Sequence, residues 1–303
     1  MQFDAIIIGG SFAGLSAAIY IARARRSVCV VDTGSPRNRF AAHSHGFFAQ
    51  DGSETGAMLA TARSQVAAYS TATFIAGEAV SAALKADGFS VVLANGDVID
   101  ASRLVLAFGV SDELPSVPGL AERWGSSVLH CPYCHGYEFS GRRLGVLNTS
   151  PMSAHQAMLI AEWGPTTFYL NGASDLDASV LAELQQRGIA IEPVPVKALH
   201  GDGTQLSVIE LADGNRSGAD ALFLGPRNHF NSDIGRQLGC EIDGAPFGQT
   251  IRTDPQMMTT VPGVYAAGDI TRGAHTVTWA CADGVTAALA VHRSLIFDHR
   301  TLE

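Results

Sequence analysis

The first apolar run, Phe3–Ile8, is continuous rather than alternating, the pattern of a strand covered on both faces of a parallel sheet. A glycine turn follows it, a helix is predicted over Gly14–Arg26, and a second strand over Val28–Asp32. "TGSPRNRFAAHSHGFFAQDG" follows, rich in turn formers, basic residues and histidines, and reads as a loop passing over a site. A helix is expected over Gly56–Tyr69. Segments around Thr73–Val80, Ala82–Leu84, Phe89–Leu93 and Val98–Asp100 read as an antiparallel meander, and Arg103–Val110 as another buried strand.

Prolines cluster at "SDELPSVPGL", and beyond them the alternation restarts. "RRLGVLNTS" reads as strand and turn, Ala154–Trp163 as helix, Thr166–Leu170 as strand and Ala178–Arg187 as helix. After "ALFLGPRN" the chain returns with "GVYAAGDI", Gly263–Ile270, and a long helix from about Thr276 to Phe297. The fold class is α/β: a first domain, residues 1–112, is interrupted by a second, 113–227, and completed by 228–303.

Composition narrows the function. A formal charge of −9 leaves no electrostatic footprint for nucleic acid, and 47% hydrophobic residues describe a globular chain. Ala5–Ala22 carries no charge, but glycines sit in its middle and no Lys or Arg precedes it, so neither a membrane span nor a signal segment is expected. Five cysteines, an odd count, fit a reducing cytoplasm better than a secreted disulfide framework. Cys29, Cys240 and Cys281 stand alone in apolar or small-residue surroundings and read as structural thiols. Cys131 and Cys134 lie in "HCPYCHGYE", a spacing shared by c-type haem attachment, half a zinc site and a redox dithiol.

Two motifs at opposite ends of the chain point to a flavin. "GGSFAG", Gly9–Gly14, sits between a strand and a helix, where a pyrophosphate is bound by unpaired N–H groups and the helix dipole. Ser11 replaces the middle glycine of G-x-G-x-x-G, which weakens the motif. Asp32 ends the second strand 23 residues after Gly9, where an acid bonds a ribose hydroxyl. In "GVYAAGDI", Gly268 and Asp269 suit the ribityl–pyrophosphate side of FAD. The helix that follows aims its N-terminus where a reduced flavin carries negative charge.

"GGSFAGLSAAIYIAR", "CPYC" and "VPGVYAAGDI", in this order and at these distances, closely resemble the low-molecular-weight thioredoxin reductases over nearly the whole chain. The resemblance implies two Rossmann-like, three-layer ββα domains, the FAD domain interrupted by a smaller nucleotide-binding-like domain carrying C-x-x-C. It also implies a homodimer. Cofactor residues carried over by it are Gly9, Ser11, Gly14, Asp32, Arg39, Val80, Gly109, Gly268, Asp269, Thr276 and Val277. Phe108 replaces the threonine of the family's "ATG", and "HTV" at His275–Val277 replaces its "RQA". Backbone contacts survive such changes, so Thr276 and Val277 are retained.

With that resemblance, Cys131 and Cys134 are expected to be a redox disulfide. A haem needs an exported chain, and a zinc site needs four ligands where the other cysteines are scattered, although His130 and His135 could contribute. No metal is expected. Two intervening residues let the sulfurs close a small ring, and Pro132 in a first helical turn would place Cys131 at the N-terminus, favouring thiolate. By resemblance Cys134 faces the flavin and Cys131 the substrate. His135 stands where the family carries an acid–base aspartate, and imidazole titrates in the right range to replace it. His43, His45 and His275 read as polar loop residues. The loop Arg37–Gly46 could line the substrate entrance.

One family motif is missing. In "GVLNTSPMSAHQAML" no glycine follows Gly145 and Pro151 occupies the turn. "TTFYLNGASDLDAS" supplies no arginine for a 2′-phosphate and ends in Asp175 and Asp177. NADPH binding of the family type is expected to be lost. The chain then resembles the dithiol oxidases that close disulfides in gliotoxin, holomycin and romidepsin, with a small-molecule or protein dithiol as substrate and oxygen as acceptor. Three alternatives stay open: a reductase fed by ferredoxin or a second flavin, one using NADPH at an unusual site, and a flavin-bound redox sensor.

Overall fold

The continuous apolar run at the start of the chain becomes the strand Gln2–Ile8, whose last four residues are buried. Because successive side chains point to opposite faces, Ile6 and Ile8 enter one core while Ala5 and Ile7 enter another. Burying each isoleucine contributes about 1.5–3 kcal/mol. The computed structural model describes residues 1–173 and 176–297. These fall into two units: Met1–Arg39, Gly56–Ser111 and Asn228–Glu303 form the first, Phe40–Thr55 and Asp112–Arg227 the second.

The first unit is built on a seven-stranded sheet. Along its path lie Ala72–Ala76, Val28–Asp32, Gln2–Ile8, Val98–Leu106, Gly88–Leu93 and Ala79–Lys85, with Val264–Ala266 also paired to Val98–Leu106. The helices Phe12–Arg23 and Val277–Phe297 pack on one another over one face. Their closeness depends on Gly284, where a Cβ would overlap the Ala13 carbonyl. Val277–Phe297 is long and apolar enough to cross a membrane by length and composition, yet one face of it, including Asp283, Ala287 and Val291, is buried in this packing.

Several boundaries differ from expectation. Ala72–Ala76 is not part of the meander; it pairs in parallel with Val28–Asp32 at the opposite edge, and Val80 belongs to the next strand. Val98–Leu106 is one strand, antiparallel to Gly88–Leu93 at its start and parallel to Val264–Ala266 at its end. Alternation of apolar residues cannot tell these pairings apart, because the partner lies far off in sequence. The first helix stops at Arg23 rather than Arg26, and Arg25 takes a left-handed φ of 60° that no helix continues through.

The second unit holds a five-stranded parallel sheet ordered Val128–Leu129, Ala221–Phe223, Leu144–Leu147, Thr166–Tyr169, Ala190–Glu192. Helices Ser153–Ile160 and Ala178–Gln186 contribute to its core, and a three-stranded antiparallel sheet, residues 196–218, packs in a second cluster. Inside it the buried Arg123 guanidinium donates to the carbonyls of Gly119 (2.9 Å), Gly201 (2.9 Å) and Gln205 (3.3 Å). The short hairpin His43–Ser44/Ser53–Glu54 also belongs to this unit, although its sequence lies amid the first.

Candidate active site

The turn after Gln2–Ile8 is shaped by its glycines. Gly9 has φ +112°, a Cβ on Gly10 would strike the Asp32 carboxylate, and a Cβ on Gly14 would overlap the Gly9 carbonyl. Ser11 caps the helix Phe12–Arg23 in extended geometry without a side-chain bond to it, and the first turn contains no acid. A helix N-terminus left open in this way, in a cradle that only glycine permits, fits a pyrophosphate. Asp32 ends the neighbouring strand beside this turn: its carboxylate accepts from Gly10 N–H (3.1 Å) and from Arg63 Nη1 (3.0 Å).

Gly268 meets the same helix, for a Cβ there would come to 3.0 Å from that of Ala13. The second cofactor motif is thereby brought against the first. Asp269 opens a short 3-10 turn and accepts a 3.0 Å ion pair from Arg37. Arg37 also donates to His275 Nδ1 (2.6 Å), whose Nε2 donates to the Arg272 carbonyl (3.0 Å). The Thr276 hydroxyl accepts from Trp279 N–H (3.0 Å), starting the helix of which Val277 is the first residue. Arg272 is anchored on the buried Asp283 (Nε–Oδ2 2.7 Å). Gly109, at φ +67°, adjoins Phe108, whose carbonyl accepts from Asn231. Val80 is exposed, its carbonyl accepting from Gln237 (3.3 Å), and Arg39 Nη1 donates to the Pro36 carbonyl (2.9 Å). These residues suit FAD: a glycine cradle for its phosphates, Asp32 for a ribose, and the Thr276–Val277 helix start for the ring.

In the second unit Cys131 and Cys134 form a disulfide with Cα atoms 5.4 Å apart. Cys131 is the N-cap of the helix Pro132–His135, with Pro132 at its start. This helix is a single turn. Gln156 Nε2 holds the strand end by donating to the His130 carbonyl (2.8 Å), and the Trp163 ring lies against Gly136 and the edge of Tyr133. His135 follows at once, half buried, and burial pushes its pKa below 6.5, with Glu138 opposing and His45 adding to the shift. The imidazole is therefore neutral at pH 7 and able to accept a proton. The remaining thiols differ. Burial raises Cys29 to about 11 and moves Cys240 and Cys281 in the same direction, which makes them poor nucleophiles; Cys281 is only partly buried. Among the described residues no group of His, Cys, Asp and Glu is placed to hold a metal.

The turn after Leu144–Leu147 is the counterpart of the glycine turn. Here the Ser153 hydroxyl, buried at 1% exposure, accepts from the N–H groups of Thr149 (3.0 Å) and Ser150 (3.1 Å). Thr149 Oγ1 donates to the Gly225 carbonyl (3.0 Å). Pro151 has no N–H to offer. Asp177 accepts from Ser179 N–H (2.8 Å) as a helix cap, while Asp175 lies outside the described residues.

The sequence pattern of the pyridine nucleotide-disulphide oxidoreductases matches residues 3–284. The chain belongs to this family. Within it, the chain is thioredoxin reductase-like. It is 31% identical to the thioredoxin reductase aclD of Aspergillus oryzae, over 98% of both chains. Its fold matches the oxidoreductase from Agrobacterium tumefaciens with a TM-score of 0.93, at 44% identity and covering 98% of this chain and 99% of that one. HlmI matches with a TM-score of 0.92 at 37% identity, over 97% and 93%. The disulfide-exchanging oxidoreductases of this family are flavoproteins, and the α/β fold expected from the motifs is the fold found.

Several residues of the site gain a role only from the folded chain. Arg63 reaches Asp32 from 31 positions away, and nothing local marks it. Arg37, expected in a loop, meets Asp269, 232 positions on. Glu138 and His45 meet at 3.5 Å. Glu138 stands in the quoted motif, three residues after His135, the spacing at which helical neighbours share a face; that is the available signal.

Proposed function

We propose that this protein is an FAD-dependent thiol–disulfide oxidoreductase that oxidises a dithiol to a disulfide through Cys131–Cys134, with oxygen as acceptor and without NADPH. The observation that carries this reading is the Ser153 hydroxyl. It takes the Thr149 and Ser150 N–H groups that a nucleotide phosphate would need, in a turn where Pro151 removes a third donor.

The chemistry follows from the site. A substrate thiol gives its proton to His135, and the thiolate attacks Cys131 Sγ. The Cys131–Cys134 bond breaks, leaving a mixed disulfide at Cys131 and a thiolate at Cys134. The second substrate thiol, deprotonated in turn, attacks the substrate sulfur of the mixed disulfide and expels Cys131. The substrate leaves with a new S–S bond, having lost two electrons and two protons, and the enzyme holds the dithiol. Bound FAD supplies the two-electron chemistry that accepts from this dithiol and delivers to oxygen. The residues that would hold it are Gly9, Ser11, Gly14, Asp32, Gly268, Asp269, Thr276 and Val277. Small or protein dithiols both suit this sequence of steps. A charge of −9 disfavours nucleic acid and anionic membrane surfaces as partners, and a cytoplasmic homodimer completes the reading.

A second reading is favoured by the relatives' own names: aclD is called a thioredoxin reductase. Electrons would then run the other way, from NADPH at another site or from a non-pyridine donor. Mixing the flavin-loaded protein anaerobically with excess NADPH, and separately with a small dithiol, decides between them. The oxidase reading expects bleaching of the flavin by the dithiol alone, and peroxide once air is admitted. Rapid bleaching by NADPH would make the protein a reductase.

A further inference from the structure

The hairpin His43–Ser44/Ser53–Glu54 lies in sequence between two elements of the first unit, yet it is part of the unit that carries the disulfide. Its central histidine reaches the redox motif. His45 Nδ1 is 3.5 Å from Glu138 Oε1 and 3.7 Å from Asp51 Oδ1. Its ring stands edge-on to that of His135, centroids 6.4 Å apart, a separation one bridging water spans. The side chain is 24% exposed, so it meets solvent while facing the half-buried imidazole of His135.

The loop that holds it is built for that placement. Asp51 accepts from Gly46 N–H (2.8 Å), Gly52 N–H donates to the Ser44 carbonyl (2.9 Å), and Thr55 Oγ1 donates to the Ala41 carbonyl (2.9 Å). A loop histidine without a task has no need of two carboxylates. Glu138 and Asp51 set two carboxylates beside the His45 ring, whereas burial disfavours a proton on His135. The two imidazoles thus have different surroundings: one lies between carboxylates and meets solvent, the other is half buried behind it.

We propose that His45 is a positioning and proton-relay residue for the disulfide chemistry: it takes the substrate thiol's proton from His135 and passes it by way of Glu138 and Asp51 to solvent. The proposal rests on the thiol–disulfide reading of Cys131–Cys134. Two protons must leave the substrate in each turnover, and His135, half buried, can hold only one at a time. The relay clears it between the first thiolate attack and the second. His43, whose ring centroid lies 6.5 Å from that of His45, also faces it, with Asp51 on its own hairpin and Glu138 and His135 across from it.

The test needs no particular direction of flow, because dithiothreitol opens an accessible C-x-x-C disulfide whether the enzyme is an oxidase or a reductase. The flavin-loaded protein is mixed anaerobically with excess dithiothreitol from pH 5 to 8, so that oxygen cannot return the opened pair to the disulfide. Opening of Cys131–Cys134 is followed by alkylation and mass shift, each rate being corrected for the thiolate present. In His45→Gln the opening is expected to slow about five- to tenfold near neutrality, a fraction of what general acid–base groups contribute. Its acid limb should move to higher pH, because the charge that helps keep His135 unprotonated is gone. His45→Ala should regain speed when imidazole is added. Rates within twofold of the parent at every pH would overturn the proposal. So would uniform slowing with an unmoved limb and no rescue, which is the mark of a merely structural role. Oxygen uptake with the dithiol, measured separately on the parent protein, tests the oxidase reading, so a failed relay and a failed oxidase are told apart.

Discussion

The chain contains the same strand–turn–helix unit twice, and the two turns have opposite fates. In the first, between Gln2–Ile8 and Phe12–Arg23, Gly9, Gly10 and Gly14 stand where side chains would collide, and no side chain bonds the helix start. In the second, between Leu144–Leu147 and Ser153–Ile160, there is no glycine, and a buried serine hydroxyl takes two turn N–H groups. One turn leaves its donors without a side-chain acceptor; the other spends them internally. Two turns of one fold can thus differ in the donors they leave open, because in one of them the chain itself supplies the acceptor.

The comparison breaks most sharply at Gly14. Gly14→Val drives a side chain into the Gly9 carbonyl, and the protein is expected to purify with little flavin. Its affinity should fall at least about 100-fold, or about 3 kcal/mol. A stoichiometric yellow Gly14→Val protein would show that this turn is not the cofactor site. At the second turn, Ser153→Ala leaves the Thr149 and Ser150 N–H groups without their acceptor, costing about 1–3 kcal/mol. Thermal melting should reveal that loss, while NADPH is expected to leave the flavin unbleached in this variant and in the parent alike. Appreciable NADPH reduction in this variant would mean that the serine alone had kept the nucleotide out.

Asp32→Asn is a milder change at the open turn. It keeps the shape but weakens the acceptor for a ribose and the 3.0 Å pair with Arg63. Flavin affinity, titrated on the deflavinated protein, should drop about tenfold, or about 1.4 kcal/mol. The smallest effect is a shift in pH. His135 has a pKa lowered below 6.5, so it works as a base above that depressed value and the rate of disulfide opening falls below it. Since the folded state binds this proton less readily than the unfolded one, stability from His135 is complete above about 6.5 and declines as the pH falls from there. The Glu138 charge opposes the depression. Glu138→Gln should therefore move the acid limb further down, opposite to the direction expected for His45→Gln. A limb that stayed fixed in pre-steady-state measurements would separate His135 from the titration.

Legibility in the sequence follows distance along the chain. The glycine turn, the helix after it and the Cys131–Cys134 pair are settled by residues within a few positions of each other, and all are readable. Boundaries are less so: Arg25 ends the first helix with a backbone conformation that its residue type does not advertise. The strand Ala72–Ala76 leaves the expected meander because an alternating strand fits a parallel or an antiparallel partner equally well. Arg63, Arg37 and His45 find their partners 31, 232 and 93 positions away, spacings that no periodicity encodes.

The amino-acid sequence by itself determined the family, the α/β fold, the glycine cradle and the redox pair. These depend on covalent spacing, on φ values only glycine accepts and on local burial patterns. Tertiary structure alone decided that a hairpin from the first stretch of the chain would bring His45 to Glu138, that Arg37 would meet Asp269, and that Ser153 would fill the second turn. Each is a hydrogen bond or ion pair between groups whose approach depends on how whole elements pack, and that packing is a property of the folded chain rather than of any segment of it.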